Sequence, residues 1–340
     1  MPNGPRDELM KIPRRQFLRL AAGAVALPAG SRNASAQSYP IRPITMIVPF
    51  PAGGATDVIG RIVAERMRRA MGQPILIENV GGADGSIGIG RAARARPDGY
   101  TVCLGIMDTQ VLNGAFYRLS YDVFEDFVPI SLLAIMPLVL FARKTMPAND
   151  LGELIAWLKA HPNQASAAMN TLGFRVLAVY LQKETGTKFT IVPYRAANTV
   201  IQDSLAGRID FGFATLPTHL PLLRAGSEKV YAVTTETRCA SAPDIPTIAE
   251  AGLPALSMPD WVGLFAPKGT PKAIIAKLHA AIVEALADPA VQSRLAQVGF
   301  ELVPRERQGP APLAGLQKAD AEKWWQIMKE LGIQAETVNQ

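Results

Sequence analysis

A chain of 340 residues with 49% hydrophobic composition is long enough to bury more than one core, and its formal net charge of +6 raises the question of a polyanionic partner. The charge is uneven: residues 1–36 hold six Lys/Arg against Asp7 and Glu8, which leaves 29 basic and 27 acidic residues in the remainder. A net charge near +2 over about 300 residues excludes the basic footprint that nucleic-acid binding needs.

The N-terminal segment reads as an export address. Arg14 to Leu18 spell Arg-Arg-Gln-Phe-Leu, a twin-arginine pattern, and the apolar run from Leu18 to Leu27 is too short to span a bilayer. Ala34-Ser35-Ala36 then stands where a signal peptidase would cut, so residues 1–36 are expected to be removed and to contribute nothing to the fold. In an oxidising compartment the two cysteines, Cys103 and Cys239, are permitted to pair, but their separation of 136 positions sets no distance in space. Cys103 lies in an apolar Thr-Val-Cys-Leu-Gly run and reads as an inert core thiol.

From residue 37 onward, short β-branched runs alternate with amphipathic helices, the pattern of an α/β protein with mixed sheets flanked by helices. Ile44 to Val48 predicts a strand, Pro49 to Ala55 a Gly/Pro loop, and Ile59, Ile62, Val63 and Met67 a helix ending at Gly72. A strand at 75–78, a glycine-rich loop from Gly81 to Gly90 and a strand at 101–104 follow. The apolar stretch from Val128 to Ala142, broken by Pro129 and Pro137, predicts strands leading into a second lobe. That lobe is expected to hold helices at 150–160, 174–184, 197–206 and 217–225 between strands at 165–169, 189–193, 209–214 and 229–234. The chain then returns through Trp261 to Ala266, and Thr270-Pro271 opens a helix whose buried stripe is Ile274, Ile275, Leu278, Ile282 and Leu286. A helix over 313–331 closes the chain. The expected division is 1–36 as leader, 37–142 with 260–340 as lobe 1, and 143–259 as lobe 2.

Catalytic chemistry finds little support. His161, His219 and His279 fall in no metal or nucleophile signature and read as surface or packing residues, and no cysteine spacing suits a metal. Asp84-Gly85-Ser86-Ile87-Gly88 has an aspartate where a nucleophile elbow requires glycine, and neither glycine loop carries a nucleotide-binding order. No cofactor or metal is expected. What the loops do offer is main-chain N–H groups. Pro51-Ala52-Gly53-Gly54-Ala55-Thr56-Asp57 leads from a strand into a helix, where converging N–H groups and the helix dipole suit a carboxylate. The loop Gly81 to Ser86 repeats the design. Each alone is also an ordinary tight turn; two at the same ends of adjacent strands favour a ligand crevice.

The segment Val48 to Asp57 resembles the opening motif of the Bug/TctC family of periplasmic substrate-binding receptors. Pro97 to Thr101, Val192-Pro193-Tyr194-Arg195, Leu205 to Asp210, Pro243 to Thr247 with Glu250-Ala251-Gly252, and Gly263 to Pro267 match its pattern in order. The resemblance implies a two-lobed Venus-flytrap clamp, monomeric and without enzymatic activity, which holds a small carboxylate in the cleft between its lobes for membrane transporter subunits. A sensory receptor and a periplasmic enzyme are the competing classes. It places ligand contacts at Phe50, Ala52, Gly53, Gly54 and Asp84, Gly85 and Ser86, with Asp57 either meeting a ligand ammonium or serving its own helix. In the second lobe Asn170 to Val176 departs from the family's pattern. The candidates there are Thr171, Gly173, Phe174 and Arg175, with Tyr194 beside them. Arg175, a cation at a helix's positive end, suggests a grip on a second carboxylate, and hence a di- or tricarboxylate or an aromatic carboxylate as ligand; an ion pair with a protein acid is the alternative.

Overall fold

The computed structural model describes residues 39–333, so the expected leader, 1–36, lies outside the described residues. The first lobe is built on a six-stranded sheet. β1 (Ile44–Val48) runs parallel to β2 (Ile75–Asn79) on one side and to β3 (Thr101–Ile106) on the other. The long β4 (Phe127–Met136) lies in the same sheet, and β10 (Asp260–Pro267) runs antiparallel to both β3 and β4. A two-residue β11 (Glu301–Leu302) pairs with β4 at the edge. β1 is a near-continuous apolar run because helices cover both faces of the sheet. Ile44, Met46, Ile47 and Val48 are buried; α1 (Ala55–Met71), with Ile59, Ile62, Val63 and Met67 buried, covers the face of Val48, and Ile47 on the other face packs with Ile89 and Ala92.

The second lobe carries five strands in the order β7–β6–β8–β5–β9. They are β5 (Leu138–Arg143), β6 (Ser166–Met169), β7 (Thr190–Pro193), β8 (Phe211–Thr215) and β9 (Glu228–Val233). β6, β7 and β8 are parallel, and β5 is antiparallel to β8 and β9. The chain changes sheets at Pro137, between β4 and β5, whereas the sequence places the lobe boundary after residue 142. A proline has no N–H to give a ladder, which suits the joint of two strands that belong to different sheets. Pro129 sits inside β4 opposite Phe265, next to a register shift, another place where a missing N–H is tolerated.

The return crossing is anchored beside the outward one. Thr234 N–H donates to Leu138 O, its hydroxyl donates to Met258 O at 2.8 Å, and Met258 N–H donates back to Thr234 O. Two neighbouring crossings therefore join the sheets at one place. α4 (Leu151–Ala160), α5 (Leu172–Thr185), α6 (Ala197–Leu205) and α7 (Leu216–Arg224) belong to the second lobe. α8 (Lys272–Ala287), α9 (Pro289–Gln297) and α10 (Pro310–Glu330) follow β10. In α8 the expected stripe is buried at Ile275, Leu278, Ile282 and Leu286. α2 (Ser86–Ala93) begins already inside the second glycine loop, and neither α9 nor a π-turn over Asp108–Leu112 that runs into α3 (Asn113–Phe116) was expected from sequence.

Cys103 in β3 and Cys239 in the second lobe are both buried free thiols. Burial pushes both thiol pKa values up, Cys239 to about 11, so neither is reactive. His219 is buried, 2.7 Å from Glu228 and stacked on Phe141, and His161 Nδ1 lies 2.9 Å from Trp157 O. Among the described residues no helix is long and apolar enough to cross a membrane, and no group of His, Cys, Asp and Glu could hold a metal.

Candidate functional site

A cavity of about 650 Å³ is walled by both lobes. The first lobe contributes the loop from Phe50 to Gly54 with the start of α1, together with Ile106, Asp108 and Met136. The second contributes Asn170, Thr171 and Phe174, the segment Arg195 to Asn198, and Thr215, Pro217 and Thr218. Asp260 closes it at the crossing, where β10 begins.

Four helices begin on these walls: α1 at Ala55, α5 at Leu172, α6 at Ala197 and α7 at Leu216. The first N–H groups of a helix have no acceptor within it, and its N-terminus carries roughly half a positive charge. Their convergence, with Arg195, makes the cavity a place for negative charge. The remaining walls are mostly apolar, with Phe50, Ile106, Met136, Phe174, Ile201 and Val298 facing the space.

Six of the expected residues line this cavity: Phe50, Ala52, Gly53, Gly54, Thr171 and Phe174. Seven do not: Asp57, Asp84, Gly85, Ser86, Gly173, Arg175 and Tyr194. Asp57 instead ties its own loop together. Its Oδ2 accepts from Gly53 N–H and from Arg61 Nε, both at 2.9 Å, and its Oδ1 accepts from Asn79 Nδ2, which also holds Phe50 O. Burial pushes its pKa upward, but the hydrogen bonds of Arg61, Gly53 and Asn79 outweigh this and hold it below the usual carboxylate range. The Gly53 N–H is thus already engaged, and the main-chain donors left to face a ligand on α1 are those of Ala55 and Thr56.

The second glycine loop turns away from the cavity. Ala83, Asp84 and Gly85 are successively left-handed, with φ of 47°, 49° and 84°. Asn113 pins the turn by donating Nδ2 to Asp84 O at 2.9 Å and to Ser86 Oγ at 3.0 Å, and Tyr117 Oη donates to Asp84 Oδ2 at 2.7 Å. Both partners lie just after the π-turn, so this loop supports the segment that carries Asp108. In the second lobe, Arg175 sets its guanidinium carbon 5.2 Å from the centre of the Phe116 ring, a cation–π distance, and does not reach the cavity wall. Tyr194 Oη donates to Asp203 at 2.8 Å.

The sequence did not single out Asp108, Asp260 or Arg195. Asp108 Oδ1 accepts from Gly173 N–H at 2.5 Å, so a carboxylate of the first lobe caps the N-terminus of α5 in the second. Asp260 Oδ1 accepts from Met107 N–H at 3.0 Å and from Trp261 N–H at 2.7 Å. Burial pushes Asp108 up to about 6; the nearby Asp84 adds to the rise and the Gly173 N–H opposes it. Asp260 also rises, chiefly through burial and then through the charge of Asp108. The available signal was an acid at the edge of an otherwise apolar run, in Thr101 to Asp108 and again in Asp260 to Ala266.

Comparison with known proteins agrees with this architecture. Residues 59–333 match the family described as "Tripartite tricarboxylate transporter family receptor". Protein BugT of Bordetella pertussis is 34% identical over 317 residues, covering 92% of this chain and 95% of its own. MatC from Rhodopseudomonas palustris, solved with bound malate, is 35% identical with a TM-score of 0.80 and covers 85% of this chain and 99% of its own. A second R. palustris protein, solved with adipate, is 30% identical with a TM-score of 0.82 and covers 88% of this chain and all of its own. The family consists of substrate-binding receptors and not enzymes, and the matched span covers the second lobe and most of the first. This chain belongs to the tripartite tricarboxylate transporter receptor family, known also through its Bug members.

Proposed function

We propose that this protein is exported by its twin-arginine leader and works in the periplasm, closing its two lobes on a small carboxylate and presenting it to the membrane components of a tripartite transporter. The observation that carries this reading is the convergence of four helix N-termini and Arg195 on one cavity between the lobes. The malate and adipate held by the two R. palustris relatives support the chemical class. The apolar walls favour a ligand with a hydrocarbon or aromatic body behind its carboxylate. Arg195 replaces Arg175 as the candidate cation, because it stands on the wall and Arg175 does not. Closure of such a clamp is a hinge motion, and the paired crossings at Pro137 and Thr234 are where it would occur.

A thermal-shift screen of the chain from residue 37 onward against aliphatic and aromatic carboxylates tests the reading. A ligand at 100 times its Kd adds about 2.7 kcal/mol, which raises Tm by roughly 5 °C in a protein of this size. Arg195→Ala should lower the affinity of the best ligand about tenfold or more. No shift with any carboxylate would overturn the reading. Export is tested separately by replacing Arg14 and Arg15 with Lys, which should keep the protein out of the periplasm.

A further inference from the structure

The charges on the cavity wall do not match a site built for a polyanion. Among the described lining residues three are charged, and two of them, Asp108 and Asp260, are acids; Arg195 is the third. Both acids are almost fully buried, with 3% of their surface exposed. They are close neighbours, since Asp260 is held by the N–H of Met107, the residue before Asp108. Asp108 is moreover placed where a ligand anion would go. It comes from the first lobe to accept the Gly173 N–H at the N-terminus of α5, a helix of 14 residues whose start borders the cavity. The three other helix N-termini on the wall receive no such acid from the opposite lobe among the described residues.

We propose that Asp108 and Asp260 restrict the cavity to ligands with a single carboxylate, Asp108 standing where a ligand's second carboxylate would otherwise meet the N-terminus of α5. This rests on the carboxylate-capture reading above. The ligand's one carboxylate then faces α1 and Arg195, and its far end is apolar or carries a hydrogen-bond donor toward the acid pair. A second ligand carboxylate at that end would be the third in one buried space. Like charges so placed repel strongly where water is excluded, and the helix dipole that would offset the repulsion already holds Asp108. The expected preference therefore departs from the dicarboxylates held by the two R. palustris relatives.

Isothermal titration calorimetry at pH 7.5 with matched pairs, hexanoate with adipate, benzoate with terephthalate and butyrate with succinate, tests the proposal. In the pair that binds best, the monocarboxylate should bind at least tenfold more tightly than its diacid. Asp108→Asn keeps an acceptor for the Gly173 N–H but removes the charge. It should reduce that gap at least fivefold, mainly by tightening the diacid. Asp260→Asn should act in the same direction, and serves as the test if the first variant does not fold. A diacid that binds the native protein as tightly as its monoacid, or a gap unchanged in the folded variants, overturns the proposal. Absence of binding by every member of every pair instead overturns the capture reading, and the proposal with it, so the two failures are told apart.

Discussion

The two glycine loops of the first lobe have the same design in sequence and opposite uses in the fold. Phe50 to Gly54 faces the cavity and hands the chain to α1, whose first N–H groups open toward the ligand space. Gly81 to Gly85 turns away from the cavity, and its end, Asp84 and Gly85, packs under the turn that carries Asp108. What separates them is the partner of the aspartate each contains. Asp57 binds the first loop back onto its own helix through Gly53 and Arg61, leaving the outer side of the loop exposed to the cleft. Asp84 and its carbonyl are bound by Tyr117 and Asn113, residues that follow the π-turn, so the second loop is tied to its neighbour. A glycine loop at a strand's end indicates a turn, and long-range side chains decide whether that turn meets a ligand or supports the residue that does.

If that contrast holds, substitution in the supporting loop costs stability and substitution in the lining loop costs little. Gly85 should be the more sensitive position. Its φ of 84° disfavours any side chain, and a Cβ there would lie 2.7 Å from Thr109 Cγ2 and 3.2 Å from Pro49 Cβ and Pro49 O. Left-handed strain of roughly 1–2 kcal/mol and overpacking of about the same size combine, so Gly85→Ala should lose about 3 kcal/mol in urea unfolding. A loss below 1 kcal/mol would mean that the loop is not a buttress.

Much of the architecture was legible because it follows from local pattern. The strands of both lobes, the helices over 151–160 and 197–205, and the stripe on α8 express periodicities that burial enforces. The site was less legible. Asp57 reads from sequence as a ligand contact or a helix-start acid, and its bonds to Gly53, Arg61 and Asn79, the last on a neighbouring strand, are what turn it into its own loop. Arg175 suggested a carboxylate grip from its place at a helix start, but the face it occupies points to Phe116. Asp108 lies in a π-turn, whose extra residue per turn shifts the phase of every side chain after it, and no periodic pattern marks such a turn in advance.

The segment that the second loop supports should also set how stability varies with pH. Asp108 is pushed up to about 6 from its ordinary 3.8, so between about pH 4 and 6 the folded protein holds a proton that the unfolded chain releases. Its stabilising contribution is fully present below pH 4 and is lost as the pH rises through 6. Asp260 shifts in the same direction, with Asp84 and Asp320 the other acids near the pair. Moving from pH 4.5 to pH 7.5 should cost the native protein on the order of 2 kcal/mol through Asp108. Asp108→Asn should flatten that slope, as read from urea midpoints at the two pH values; an unchanged slope would show that Asp108 does not titrate with folding.

Asp57, in the lining loop, has the opposite sign. Its pKa is held down, so its contribution is present above the ordinary carboxylate value and lost as the pH falls through the lowered one. Asp57→Asn keeps the shape but weakens the bonds to Arg61 and Gly53, and a loss of about 1 kcal/mol at pH 7 is expected. Because the loop faces the cavity, the variant should also weaken ligand binding. Normal affinity with reduced stability would show that the loop's shape does not depend on Asp57.

Gly53 gives a similarly small effect and the closest control for Gly85. Both residues have a φ of 84°, but a Cβ on Gly53 would meet nothing within 4 Å. Only the left-handed strain remains, so Gly53→Ala should lose about 1 kcal/mol, or about a third of the loss at Gly85. The difference between the two variants then isolates the packing of the second loop against Thr109 and Pro49, because the backbone strain is common to both. Equal losses at the two positions would mean that the close packing of Gly85 against Thr109 and Pro49 adds nothing to the hold on the loop. In that case Asn113 and Tyr117, and not the close approach of Gly85, would be the groups that keep Asp108 in place.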